Sequence, residues 1–327
     1  MKERVLITGA SGFVGYHLIV ECLAKDLEVY AAVRRTSQVE HLKSLPVNFV
    51  QLDFTNTAAL KTALIEGQYA YIIHAAGVTK AESEAAYTRV NADYTRNLCA
   101  AASEVGVKKF VLLSSLAAWG PGNAAGQAIT EQDAPHPVTL YGRSKLLGEQ
   151  YALAFKDLPL IVLRPTAVYG PRDRDIFILL KTLTHGLEPY IGKQDQKLSF
   201  IYVTDLAAIT VAALFSAVRS ACYNVGDGNV YNRYALCDIA KQILKKSTLK
   251  IHLPLPVVRT MAFVQEKLAA WKGQAATLNR DKLAELTAAN WSCSIERLQQ
   301  DLGFVPRFNL EKGLVQTLQW YKENNWL

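Results

Sequence analysis

The chain has 327 residues, 50% of them hydrophobic and 20% charged, with five cysteines and a formal charge of +7. That size and apolar content exclude a disordered segment or a disulfide-stapled miniprotein, and allow a large core divided between two lobes. The basic residues are spread out, with no run beyond Arg34-Arg35 or Lys245-Lys246, so a solvated surface fits better than a nucleic-acid interface.

Cys22, Cys99, Cys222, Cys237 and Cys293 form no Cys-x-x-Cys pair, so neither a disulfide framework nor a metal site is expected. The sequence enters a strand at once, without an apolar leader, and the longest apolar stretch, 206–218, is too short for a bilayer. A cytoplasmic protein without a membrane partner is the expectation.

The first stretch, Val5-Leu6-Ile7-Thr8-Gly9-Ala10-Ser11-Gly12-Phe13-Val14-Gly15, reads as a short strand, a glycine turn and the approach to a helix over 16–25. Gly9 permits the sharp turn, Gly12 a close approach of backbone to a pyrophosphate, and Gly15 the packing of helix on strand. Amides without helical partners then face the phosphates. Thr8, Gly9, Ser11, Gly12, Phe13, Val14 and Gly15 are the candidate dinucleotide contacts.

A second strand over 28–33 ends in Arg34-Arg35. An acidic residue at this tip would hold both ribose hydroxyls of NAD, whereas Arg34 suits a 2′-phosphate and points to NADP, with NAD the alternative. A third strand, 47–52, brings Asp53 and Phe54 to the adenine, although Asp53 could equally cap the helix that follows. A fourth strand, 69–74, closes in His74-Ala75-Ala76-Gly77, whose small residues let the chain pass beside a cofactor; His74 alone reads as a packed histidine. A long helix over 84–105 and a strand over 108–114 continue the alternation, which predicts a parallel sheet covered by helices on both faces.

Beyond that strand lie Ser114-Ser115, a polar loop, and a helix that opens on Tyr141-Gly142-Arg143-Ser144-Lys145. A sixth strand, 161–163, runs into Arg164-Pro165-Thr166-Ala167-Val168-Tyr169-Gly170. From there the rhythm breaks. Residues 1–170 read as the nucleotide-binding domain and 171–327 as mainly a substrate lobe, with about 200–227 returning to the sheet through a helix from 206 and a strand over 222–225.

Tyr141 and Lys145 stand one helical turn apart and share a face. A phenol of ordinary pKa, about 10, is a poor base at neutral pH. A nearby ammonium pulls that value down, so the phenol can exchange a proton with a substrate hydroxyl or carbonyl. Ser115, at the preceding strand end, would hold the substrate oxygen, and Lys145 would also reach the nicotinamide ribose.

These motifs together resemble the extended short-chain dehydrogenases/reductases, the NAD(P)-dependent epimerase/dehydratase family. The resemblance rests on Thr8-Gly9-x-x-Gly12-x-x-Gly15, His74-Ala75-Ala76-Gly77, Ser115, Tyr141-x-x-x-Lys145 and Arg164-Pro165, with a family-like tail over 291–306. It implies an α/β fold, a Rossmann doubly wound parallel sheet with a smaller C-terminal α/β substrate lobe. It further implies Ser115, Tyr141 and Lys145 as the catalytic set, with Ser114 as runner-up to Ser115. Ala75, Ala76, Gly77, Pro165 and Val168 would lie along the cofactor, and a homodimer would form through the helices near 84–105 and 141–155.

Two departures bear on substrate. Sugar-nucleotide epimerases of the family usually carry asparagine where this chain has Ala167, and often arginine where it has Leu198. The resemblance therefore leans to hydroxysteroid dehydrogenases and dihydroflavonol-type reductases. The expected activity is hydride transfer between NADP(H) and a secondary alcohol or ketone of a small-molecule substrate. A nucleotide-sugar epimerase or dehydratase with tightly held NAD is the alternative, ahead of a non-catalytic NADP sensor or RNA-associated scaffold.

Overall fold

Short aliphatic runs build the sheet on which everything else is placed. The strands are β1 (Arg4–Thr8), β2 (Glu28–Ala32), β3 (Val47–Val50), β4 (Tyr71–His74), β5 (Lys109–Leu113), β6 (Leu160–Pro165) and a last one at Ala221–Val225. In space they run Ala221–Val225, β6, β5, β4, β1, β2, β3, every neighbouring pair parallel. β1 lies between β4 and β2, so chain order reverses there and the loops on either side diverge, which opens a crevice at the carboxyl ends of the strands. Thr8 pairs with both Ala32 and His74, which brings the three strand ends level. The computed structural model describes residues 2–122, 126–271 and 280–327.

Strand residues are buried on both sides, as a sheet covered twice requires. Val5 and Ile7 join one core with Leu18 and Ile19 of helix α1 (Phe13–Ala24) and with Leu206 and Ile209 of the helix Val203–Leu214. Leu6 and Ile72 face the other, with Leu60 and Leu64 of helix α2 (Thr57–Gly67) and Leu98 of the helix Tyr94–Val105.

Three local expectations change. Helix α1 begins at Phe13, a turn before residue 16, because the glycine turn itself closes its first turns: Gly12 N donates to Gly9 O at 3.0 Å and Tyr16 N to Gly12 O at 3.1 Å. The helix expected over 84–105 is interrupted by a π turn at Arg89–Asp93. The bulge coincides with a close approach of backbones, since a Cβ on Gly148 would sit 2.4 Å from Asn91 O. Asp53 is not the cap of α2. Asn56 is, accepting from Ala59 N, while Asp53 holds Thr55 through both its backbone N and its hydroxyl.

After β6 the strands outside the main sheet pair only in small sheets: Ala167–Tyr169 with Phe200–Tyr202, and Leu187–Ile191 with Leu249–Leu253. An aromatic core (Tyr169, Tyr190, Phe200, Tyr202 and Tyr321) unites them with the helices Asp175–Thr184, Ala235–Leu244 and Leu310–Glu323. Among the described residues no helix is long and apolar enough to cross a membrane, and no cluster of ligating side chains could hold a metal ion.

Candidate active site

Three cavities at the carboxyl edge of the sheet share walls. The largest, about 620 Å³, is lined by Gly9, Ser11, Gly12, Phe13, Val14 and Gly15 of the glycine turn, by Arg34, Gln38 and His41, and by residues of the later chain. It shares Val14, Ala75, Gly77 and Thr79 with a cavity of about 240 Å³ lined by Ser114, Ser115, Tyr141 and Lys145. That one in turn shares Ser115, Pro165 and Thr166 with a third, of about 300 Å³. A long ligand can thus run from the glycine turn past Tyr141 to a separate pocket.

The glycine turn is a cradle that side chains would fill. Gly9 adopts φ +70°, and a Cβ there would lie 2.6 Å from the Ala75 carbonyl; on Gly15 it would lie 2.2 Å from Gly9 O. No side chain caps the start of α1, so its first amides lack helical partners beside the cavity, the chemistry a pyrophosphate requires. The residues present therefore fit a dinucleotide. Thr8 works from behind: its buried hydroxyl meets His74 Nδ1 at 2.7 Å and accepts from Ala76 N at 3.1 Å. His74 is enclosed between Thr8 and Thr95, and burial lowers its pKa to about 3, so the ring stays neutral.

Tyr141, Lys145 and Glu149 follow each other at successive turns of the helix Leu140–Leu153, whose start is capped by Thr139 on Gly142 N. Lys145 Nζ donates to Leu113 O at 2.7 Å, which fixes it at the end of β5. Burial pulls its pKa down to about 8, against the raising effect of Glu149. Tyr141 departs from expectation. Burial pushes its pKa up to about 12, and the counteracting partner is the Ser115 hydroxyl rather than Lys145. Desolvation therefore governs the acidity of this phenol, and it is protonated at neutral pH.

The two candidate serines are separated by their partners. Ser114 donates a short hydrogen bond to the buried Glu149 carboxylate and belongs to the support beneath the site. Ser115 faces Tyr141 and also accepts from Ala117 N at 3.2 Å. Glu149 is clasped by Arg164 through Nε at 3.0 Å and Nη2 at 2.7 Å, both side chains almost wholly buried, and the Arg164 guanidinium lies 3.4 Å over the Trp119 ring.

Pro165 and Val168 line the cavity around Tyr141. Asp53 and Phe54 line none of the three cavities; Phe54 stacks on Tyr94 instead, its ring centroid 5.6 Å away. Ala76 is likewise off the walls, though its neighbours Ala75 and Gly77 are on them. Sequence reasoning missed Asn91, which clasps Val78 N and O (2.8 and 3.0 Å) and Ser144 Oγ (2.9 Å) from the π turn. It also missed Thr166, whose buried hydroxyl has no partner among the described residues where two cavities meet. Thr166 lies directly after Arg164-Pro165, where only the cavity it faces marks it out, and Asn91 sits among Arg89, Asp93 and Thr95, where its polarity gives no signal.

A parallel sheet with a glycine turn at its switch point, joined to a Tyr-x-x-x-Lys helix, defines an enzyme of the extended short-chain dehydrogenase/reductase type. Residues 5–226 match the NAD dependent epimerase/dehydratase family, and the chain belongs to it. A ceramide reductase of Caulobacter vibrioides is 28% identical over 326 residues, 99% of this chain and 96% of its own. An N-acetyl-alpha-D-glucosaminyl-diphospho-ditrans,octacis-undecaprenol 4-epimerase of Escherichia coli O157:H7 is 27% identical, covering 98% of this chain and 96% of its own. Among solved structures, a UDP-glucose 4-epimerase from Thermotoga maritima with UDP-glucose superposes with a TM-score of 0.81 at 20% identity, over 98% of this chain and 99% of the other. That likeness establishes the fold.

The Glu149–Arg164 pair yields a prediction. Glu149→Gln leaves a buried guanidinium without its counter-charge and should reduce unfolding free energy by about 3–5 kcal/mol, read by urea denaturation. A loss under about 1 kcal/mol, ordinary for an exposed pair, would show that the pair does not anchor the helix.

Proposed function

We propose that this protein is a nicotinamide-dinucleotide oxidoreductase acting on a ketone or secondary alcohol of a largely apolar small molecule. The observation that carries the substrate class is the third cavity. Its wall includes Leu116, Ala117, Pro165, Ala167, Leu198, Phe200, Leu286 and Trp291. Glu285 is its one charged lining side chain among the described residues, and it pairs with Lys282 at 2.8 Å. A nucleoside diphosphate would need cationic donors on such a wall. The reductase character of the Caulobacter relative supports the same reading.

The glycine turn, Ala75 and Gly77 would hold the dinucleotide, and Lys145 its nicotinamide ribose. The bound nicotinamide supplies or accepts the hydride. Ser115 donates a hydrogen bond to the substrate oxygen, and Tyr141 exchanges the proton with that same oxygen. A phenol that burial keeps protonated carries the proton that reduction of a carbonyl requires, and its phenolate is the base that oxidation of an alcohol requires. Arg34, exposed on the wall of the large cavity, supports NADP over the NAD in the family's description.

A second reading, a nucleotide-sugar epimerase holding NAD through its cycle, draws on the epimerase names among the relatives. A dinucleotide that co-purifies with the protein, together with a UDP-dependent rise in melting temperature, would favour it.

Two measurements test the leading reading. Tyr141→Phe should lower turnover by about 10²–10⁴ while leaving dinucleotide affinity within about twofold; unchanged turnover removes the phenol from the chemistry. NADPH should bind at least about tenfold more tightly than NADH, a preference that Arg34→Gln erases. Equal affinities in the unaltered protein would remove Arg34 from cofactor choice.

A further inference from the structure

The large cavity is not built by the glycine turn alone. Arg172, Asp173, Arg174, Asp175 and Trp326 also line it, all from beyond the sixth strand. Their charges are not equally available. Asp173 accepts from the backbone N of Asp175 and of Ile176, each at 3.0 Å, and Asp175 pairs with Lys80 at 3.4 Å. The Arg172 guanidinium makes no hydrogen bond or ion pair among the described residues. It lies 4.0 Å over the ring of Tyr16, with the Trp320 ring at 5.6 Å.

Holding Arg172 there requires an unusual backbone. Its φ is +75°, a conformation that side chains other than glycine seldom adopt and that persists only where the surroundings enforce it. The enforcement is visible on both sides. His17 Nε2 donates to Pro171 O at 3.0 Å, and Tyr321 Oη donates to Asp173 O at 2.9 Å. Burial lowers the pKa of His17, so the ring is neutral, and the carbonyl partner requires its proton on Nε2. Tyr16 and His17 directly follow Gly15 in α1, so the later chain is pinned within a turn of the glycine cradle.

We infer that Arg172 is a dinucleotide-binding residue, closing over the pyrophosphate that the glycine turn cradles from beneath. A guanidinium lying on an aromatic face keeps its edge N–H groups free for bidentate contact with phosphate oxygens. Its anchorage on Tyr16, in the helix that the glycine turn opens, assigns it to the pyrophosphate, whereas Arg34 lies in the loop beyond β2 where a 2′-phosphate would sit. The substrate half of the chain thereby helps to retain the cofactor. This rests on the dinucleotide reading above.

The test is calorimetric titration with NADPH, NADH and ADP-ribose, the last carrying the pyrophosphate without nicotinamide. Arg172→Gln should weaken all three by a similar factor, about tenfold or more, and Arg172→Lys should recover part of the loss. Arg172→Gly, which relieves the positive φ, should keep the melting temperature and lose affinity equally. Affinities within about twofold of the unaltered protein, or a loss confined to NADPH, overturn the assignment. Should the unaltered protein bind none of the three, the dinucleotide reading fails and this proposal with it, a result distinct from variants that match a protein able to bind.

Discussion

The site depends on how the helix Leu140–Leu153 is held against the sheet. Tyr141, Lys145 and Glu149 share its inner face, and the buried Glu149–Arg164 pair locks that face onto β6. Arg164 cannot leave without stranding a carboxylate, and Glu149 cannot leave without stranding a guanidinium. Such a pair contributes less to net stability than to geometry, because desolvation offsets much of its attraction. Its effect is to fix where the phenol and the ammonium lie relative to Ser115 and to the end of β5.

The same enclosure perturbs both groups. Lys145 has a folded-state pKa of about 8 against an ordinary 10.5, so between those values the unfolded chain binds more protons and stability rises with pH. Below that window the buried ammonium is a standing cost of folding, about 3 kcal/mol by the linkage relation. Tyr141 is shifted the other way and remains a neutral donor. Two groups one turn apart are thus driven toward their uncharged forms by one cause. Closely spaced groups with perturbed acidities in a cavity are the mark of a reactive site.

Local chemistry made much of this legible in the sequence. The glycine turn is written in residues 9, 12 and 15, because backbone freedom is a property of glycine itself. The Tyr141–Lys145 spacing is helical arithmetic, and the alternation of strand and helix needs only periodicity. The remainder depends on what touches what. Nothing near residue 91 announces that a π turn will aim Asn91 at Val78, or that the backbone at 172 will be turned to φ +75°. The acidity of Tyr141 in the protein alone is not legible from helical spacing for the same reason: the depth of burial is set by the whole fold. Short strands such as Lys197–Leu198 and Tyr231–Asn232 carry too few residues to show a period at all.

Burial keeps the Tyr141 phenol neutral in the protein alone, and the positive charge of an oxidised nicotinamide held beside it would favour the phenolate. Near-ultraviolet phenolate absorbance, taken as the difference between the unaltered protein and its Tyr141→Phe variant, reads that directly. The account predicts no Tyr141 phenolate at about pH 9–10 in the protein alone or with ADP-ribose, and a clear signal once oxidised dinucleotide is added. The same titration curve with and without the oxidised dinucleotide would contradict it.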